Sequence, residues 1–189
     1  MEHKEILLIK NGELALKGLN RGTFEDILLK NIKRRLYGAG SFTLRKAQST
    51  LYIEPREEGA DLEEACDRLS RIFGISAYTR ALAVDKSMEA ILAATGDYLA
   101  DELRNARTFK VEAKRSDKTF PLTSPAICAE VGGALLKQFP HLKVDVHQPQ
   151  VQVTVEIRDF GAYIHAAQLP GAGGMPVGTG GCAADLGWH

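Results

Sequence analysis

Between Thr108 and Leu136 the chain reads TFKVEAKRSDKTFPLTSPAICAEVGGALL, which places Lys114, Arg115 and Lys118 in one short basic turn. Phe109, Val111 and Ala113 alternate as one face of a strand before it. Ser124-Pro125 opens a helix after it. Free backbone N–H groups and the positive dipole end at a helix N-terminus favour an anion. Three cations beside such an end can hold a polyanion, and a phosphate chain is the expected one. Only Asp117 is close enough in sequence to neutralise them. A second basic group, Lys17-Gly18-Leu19-Asn20-Arg21-Gly22, precedes the first helical pattern. Gly18 and Gly22 permit close backbone approach there, so Lys17, Asn20 and Arg21 are candidate contacts. Lys30, Lys33, Arg34 and Arg35 lie further along that helix and read as a solvated charged face.

No catalytic set accompanies these cations. His3, His141, His147, His165 and His189 are scattered without metal-ligand spacing. No Ser-His-Asp arrangement and no cysteine nucleophile with a placed base can be assembled. Cys66, Cys128 and Cys182 are odd in number, far apart and outside any CxxC motif, so a reducing cytoplasm is expected, with Cys66 and Cys128, both in helical patterns, as small buried hydrophobes. The tail from Leu169 to Gly181, LPGAGGMPVGTGG, is glycine-rich but lacks Gly-Lys-Ser/Thr and a following helix, so it reads as a linker rather than a phosphate loop. Formal net charge is zero, so any nucleic-acid role must come from local clustering. With 189 residues, 44% hydrophobic and 25% charged, the chain can fill one large or two small cores. No apolar run is long enough for a membrane span, and the charged N-terminus does not read as a signal peptide.

The elements that must position the cations follow from periodicity. Glu5–Ile9 reads as a buried strand. A helix follows, with Phe24, Ile27, Leu28, Ile32 and Leu36 on one stripe and Thr23, Glu25 and Asp26 at its start. Strands are expected at Phe42–Arg45 and Thr50–Glu54, a helix at Leu62–Phe73 and a strand at Ile75–Val84. That β-α-β-β-α-β order is a ferredoxin-like split βαβ unit ending near Asp85. A helix capped by Ser87 then carries Met88, Ile91, Leu92, Thr95, Tyr98 and Leu99. The strand from Phe109, the helix from Ser124 and a short strand at Leu142–Val146 come next. A hairpin of Val151–Asp159 and Ala162–Ala166 turns at Phe160-Gly161, with Val151, Val153, Val155 and Ile157 inward. Gly132-Gly133 stands inside a helix, where each glycine costs about 1 kcal/mol relative to alanine. Close helix–sheet packing and close approach of an RNA backbone both account for it.

Four segments carry a family resemblance. ELALKGLNRGTFE, from Glu13 to Glu25, and FKVEAKRSDKTFPLTSP resemble the N-terminal signature and the THUMP segment of ThiI, the tRNA 4-thiouridine synthetases. VEIRDFGAYIHAA and PGAGGMPVGTGG resemble the end of the same THUMP domain and the linker after it. The resemblance covers Lys4 to Gly181 in order. It implies an α+β chain: a ferredoxin-like domain at 1–85, an α/β THUMP domain at 86–168, and a linker with an atypical tail at 169–189. It also implies a tRNA-binding portion that holds the acceptor stem and 3′ end, with no chemistry alone. The RNA contacts would be Lys17, Asn20 and Arg21 on the acceptor stem and Lys114, Arg115 and Lys118 on the 3′ end.

The resemblance further implies a parent enzyme, an ATP-dependent tRNA sulfurtransferase that makes 4-thiouridine at position 8. Some family members also serve thiamine thiazole synthesis. The Ser-Gly-Gly-x-Asp-Ser loop that binds ATP in the family is absent from this sequence, and Cys182–His189 does not read as the strand that would lead to it. No cofactor is therefore expected in this chain. The implied partners are tRNA, a second copy in a possible homodimer and, for the full-length parent, a cysteine desulfurase; no membrane is expected. A THUMP module of another RNA-modifying enzyme, a methyltransferase or deaminase, is the alternative. A ferredoxin-like small-ligand sensor is a third reading, because fold does not fix function.

Overall fold

The computed structural model describes residues 4–10, 21–47, 50–57, 60–69, 71 and 77–168, without the side chains of 10, 21–25, 47, 77 and 168. The chain divides into two compact units, Glu5–Arg80 and Ala81–Thr179, with a few terminal residues assigned to each. The boundary falls within one strand.

The first unit contains β1 (Glu5–Lys10), α1 (Arg21–Leu36), β2 (Phe42–Ala47), β3 (Thr50–Pro55), α2 (Leu62–Leu69) and the start of β4 (Ala77–Val84). Its strand order is β2-β3-β1-β4, with β3 antiparallel to both β2 and β1. This is the ferredoxin-like arrangement expected from the element order. Leu7, Ile9, Leu51 and Ile53 of the sheet bury against Leu28, Ile32 and Leu36 of α1 and Ala65, Cys66 and Leu69 of α2. Ile27, expected on the α1 stripe, is 55% exposed. The helix begins at Arg21, so no acid lies in its first turn, and the expected Glu25-Asp26 start is displaced inward. Cys66 is buried as expected, but it is held in a disulfide rather than free.

The second unit contains the end of β4, α3 (Met88–Tyr98), α4 (Ala100–Arg104), β5 (Thr108–Arg115), α5 (Ser124–Gln138), β6 (Lys143–Val144), β7 (Val151–Arg158) and β8 (Gly161–Gln168). Its strand order is β4-β8-β7-β5-β6. β5 is parallel to both neighbours, whereas the β7–β8 hairpin is antiparallel. Ser87 caps α3 by accepting from the Ala90 N–H at 3.1 Å, as its residue type predicts. The five-residue α4 has too few positions to show a period in the sequence.

Val151, Val153, Val155 and Ile157 are all at most 1% exposed, and with Phe109 they pack on Ile127, Val131 and Leu135 of α5. β6 is only two residues long because the chain leaves the sheet after Val144. Val144 and Val146, expected in that strand, are 53% and 61% exposed.

Candidate nucleic-acid interface

The basic turn is built around Asp117. Its carboxylate accepts from Lys86 Nζ at 2.5 Å and from the Thr119 hydroxyl and backbone N–H at 2.5 and 3.0 Å. These donors, Lys86 first and then Thr119, hold the Asp117 carboxyl down at about 2, against an ordinary 3.8. Asp117 is thus committed to Lys86, at the start of α3, and not to the cations beside it in sequence. This has a direct electrostatic consequence. Among the described residues, neither Lys114 nor Lys118 has a carboxylate partner, and Lys118 is exposed.

Arg115 does a different job. Its guanidinium donates to the carbonyl oxygens of Phe120 at 3.2 Å and of Lys118 at 3.5 Å, so it closes the turn from within. Ser116 N–H donates to Ile157 O at 2.9 Å and ties the entry of the turn to β7. Phe120, 6% exposed, anchors the far side in the core. The turn therefore enters the helix in a fixed conformation. Thr123 caps α5, accepting from Ala126 N–H at 3.4 Å, with Pro125 in the first turn. A preformed turn loses little entropy on binding, which favours a charged ligand.

Lys114 stands on the face of β5 opposite α5. Lys110, Glu112 and Lys114 are in register with Gln152, Thr154 and Glu156 of β7, and Thr154 and Glu156 with His165 and Tyr163 of β8. Simple alternation predicts a solvated face here, yet Thr154, Glu156 and Arg158 are 4%, 3% and 4% exposed. Glu156 accepts from Arg158 Nη2 at 2.8 Å and lies 2.7 Å from His165 Nε2. Burial of a carboxylate requires such partners. The only sequence signal for this cluster is Thr, Glu and Arg at every second position of β7, which reads equally well as solvent-facing.

The remaining expected contacts fare unevenly. Lys17 and Asn20 lie outside the described residues, and Arg21 opens α1 with its side chain undescribed. The structure links Arg115 to the Lys118 carbonyl within the turn, places Lys114 on the opposite face of β5, and leaves the second group without geometry. Lys30, Lys33, Arg34 and Arg35 are exposed, consistent with a solvated helix face. No group of three or more metal-ligating side chains occurs among the described residues. No helix there is long and apolar enough to cross a membrane.

A ThiI ferredoxin-like domain matches residues 6–79 and a THUMP domain matches residues 85–166. These two matches define the class: a ferredoxin-like unit followed by a THUMP unit that carries the basic turn. The chain thus carries a ThiI ferredoxin-like domain and a THUMP domain in that order. It is 44% identical over 183 residues to a probable tRNA sulfurtransferase of Caldanaerobacter subterraneus subsp. tengcongensis, covering 97% of this chain and 47% of that protein. It thus spans about half the length of the curated relatives it matches. Among solved structures, it resembles a 4-thiouridine synthetase–RNA complex with bound ATP at TM-score 0.69 and 30% identity, covering 90% of this chain and 44% of that one. It also resembles PH1313 from Pyrococcus horikoshii at TM-score 0.70 and 29% identity, covering 92% and 57%.

Proposed function

We propose that this chain is the tRNA-binding portion of an ATP-dependent tRNA sulfurtransferase that makes 4-thiouridine at position 8. The observation that carries the reading is the sequestration of Asp117 by Lys86, which leaves Lys118 without a carboxylate on a turn closed by Arg115, beside Lys114 at the end of β5. One ammonium group on a fixed turn and another at the end of the strand that feeds it suit phosphates of a single-stranded end, where recognition relies on backbone and shape. In this reading they hold the 3′ end, and Lys17, Asn20 and Arg21 hold the acceptor stem. The similarity to a synthetase captured with RNA supports it.

Transfer of sulfur, use of ATP, a cysteine desulfurase partner, any link to thiamine thiazole synthesis and homodimer formation belong to the full-length relative in this reading. A cytoplasmic setting goes with a tRNA ligand.

The test is tRNA binding by fluorescence anisotropy for the chain and for Lys114→Ala with Lys118→Ala. Loss of two phosphate contacts should weaken binding by at least about tenfold at low salt. Unchanged affinity would reject the basic turn as the contact. The alternative THUMP module of a methyltransferase or deaminase is disfavoured by the ferredoxin-like domain match at residues 6–79.

A further inference from the structure

A groove of about 410 Å³ lies beside β5 in the second unit. Val111 lines it from the strand, Gly132, Gly133 and Leu136 from α5, and Val144 and Val146 from β6 and the turn after it. Leu136, Val144 and Val146 are three of the five large hydrophobic side chains left exposed among the described residues. Such convergence marks an interaction surface. A Cβ on Gly133 would meet nothing within 4 Å, and one on Gly132 would touch only Val111 Cγ2 at 3.9 Å. Close helix–sheet packing therefore does not explain these glycines. They keep the helix wall low where it passes the strand.

The strand beside the groove has an unfinished edge. Successive residues of a strand turn their N–H and C=O groups to opposite edges. Ser116 N–H reaches Ile157 O, so the backbone groups of Lys110, Glu112 and Lys114 also face β7. Those of the odd-numbered residues face the other way, where the Arg107 and Phe109 carbonyls accept from Lys143 and Asp145 N–H. β6 pairs only with Thr108 and Phe109. Among the described residues, the N–H and C=O of Val111 on that edge have no backbone partner. The next donor along the edge, Ala113 N–H, is taken by the Cys128 sulfur. Burial pushes the Cys128 thiol up, so the groove offers no ready nucleophile. Lys110 and Lys143 stand on the strand face away from α5 and have no carboxylate partner among the described residues. The acids nearest to them in sequence are committed elsewhere. Glu112 accepts from Gln152 Nε2 at 2.6 Å, and Asp145 from the His147 and Gln148 N–H groups at 3.0 and 2.9 Å.

We propose that this edge docks an extended segment of a partner protein, with an apolar side chain in the groove and an acidic residue beside Lys110 and Lys143. An open strand edge is matched by another extended backbone, which supplies the N–H and C=O groups that Val111 lacks. Alternate side chains of an added strand point to opposite faces. One set therefore meets the apolar walls over Gly132 and Gly133, and the other meets the two ammonium groups. The apolar walls disfavour a phosphate chain, which would lose its hydration there without donors in return. The small contact area makes binding of one short segment weak.

The probe is a short capped peptide alternating glutamate and valine, titrated into the whole isotope-labelled chain and followed by amide NMR. Saturable shifts at the Val111 and Gly133 amides are expected, with hydrogen exchange at Val111 slowed by at least about tenfold at saturation. The same peptide N-methylated along its backbone should not bind. Lys110→Glu should weaken binding by at least about tenfold and favour a lysine–valine peptide instead. Gly133→Arg should also weaken it, without lowering the melting temperature, since that position opens to free space. No saturable shift up to millimolar peptide overturns the proposal. So does binding indifferent to N-methylation and to both substitutions, or shifts confined to the basic turn. Protection of Val111 that grows with protein concentration alone would assign the edge to a second copy, and protection by tRNA would assign it to RNA; either result also overturns it.

Discussion

Replacing Gly133 with alanine should stabilise the second unit. The residue lies inside α5, where glycine costs about 1 kcal/mol relative to alanine through backbone entropy. The added Cβ meets nothing within 4 Å, so no steric penalty opposes that gain. For a unit of this size, about 1 kcal/mol raises the melting temperature by roughly 4–8 °C. Gly132→Ala should gain nearly as much, since its Cβ would make one ordinary contact with Val111. Gly96→Ala is the internal control. Its Cβ would fall 1.9 Å from Gln138 Oε1, so the exposed Gln138 side chain must swing aside and the gain shrinks. The assay is thermal unfolding followed by circular dichroism at low protein concentration. A fall in melting temperature for Gly133→Ala would show that the glycine serves the fold itself, and would refute this reasoning.

Asp117 should impose an acid limb on stability. Its folded value of about 2 lies below the ordinary 3.8, so its stabilisation is present above roughly pH 4 and is lost as pH falls toward 2. Asp117→Asn should flatten urea-unfolding midpoints across that window; an unchanged acid limb would contradict the assignment. Glu156→Ala should destabilise the second unit by about 3–5 kcal/mol, because Arg158, 4% exposed, would keep a buried charge without that carboxylate. Arg115→Ala should speed hydrogen exchange or proteolysis at Lys118–Phe120 by releasing two carbonyl contacts, whereas Lys118→Ala should not.

Much of this architecture is legible in the sequence because period and capping coincide. Ser87 and the alternating Val151–Ile157 strand mark their elements without ambiguity. The misreadings have specific physical causes. Ile27 sits about 100° round the helix from Leu28, on the side away from Ile32 and Leu36, so it falls off the buried stripe. Glu156 and Arg158 look solvent-facing because alternation records polarity, not burial; the pairing of Glu156 with Arg158 and His165 offsets the cost of burying them. The basic turn is visible as a run of cations, but its electrostatics are not. Lys86, distant in sequence, takes the one carboxylate that the sequence offers to the turn. The role of Arg115 as the clasp of the turn is likewise invisible, because it depends on the path of the backbone to Phe120.

The most direct test of the tRNA reading is the salt dependence of tRNA affinity, measured by anisotropy over a series of ionic strengths. If about four phosphates are neutralised, log K should fall with log salt at a slope of roughly −3 to −4. Lys114→Ala with Lys118→Ala should make that slope shallower by about 1 to 2. An affinity independent of salt, or a slope that the double substitution leaves unchanged, would contradict the assignment of the turn to the RNA backbone.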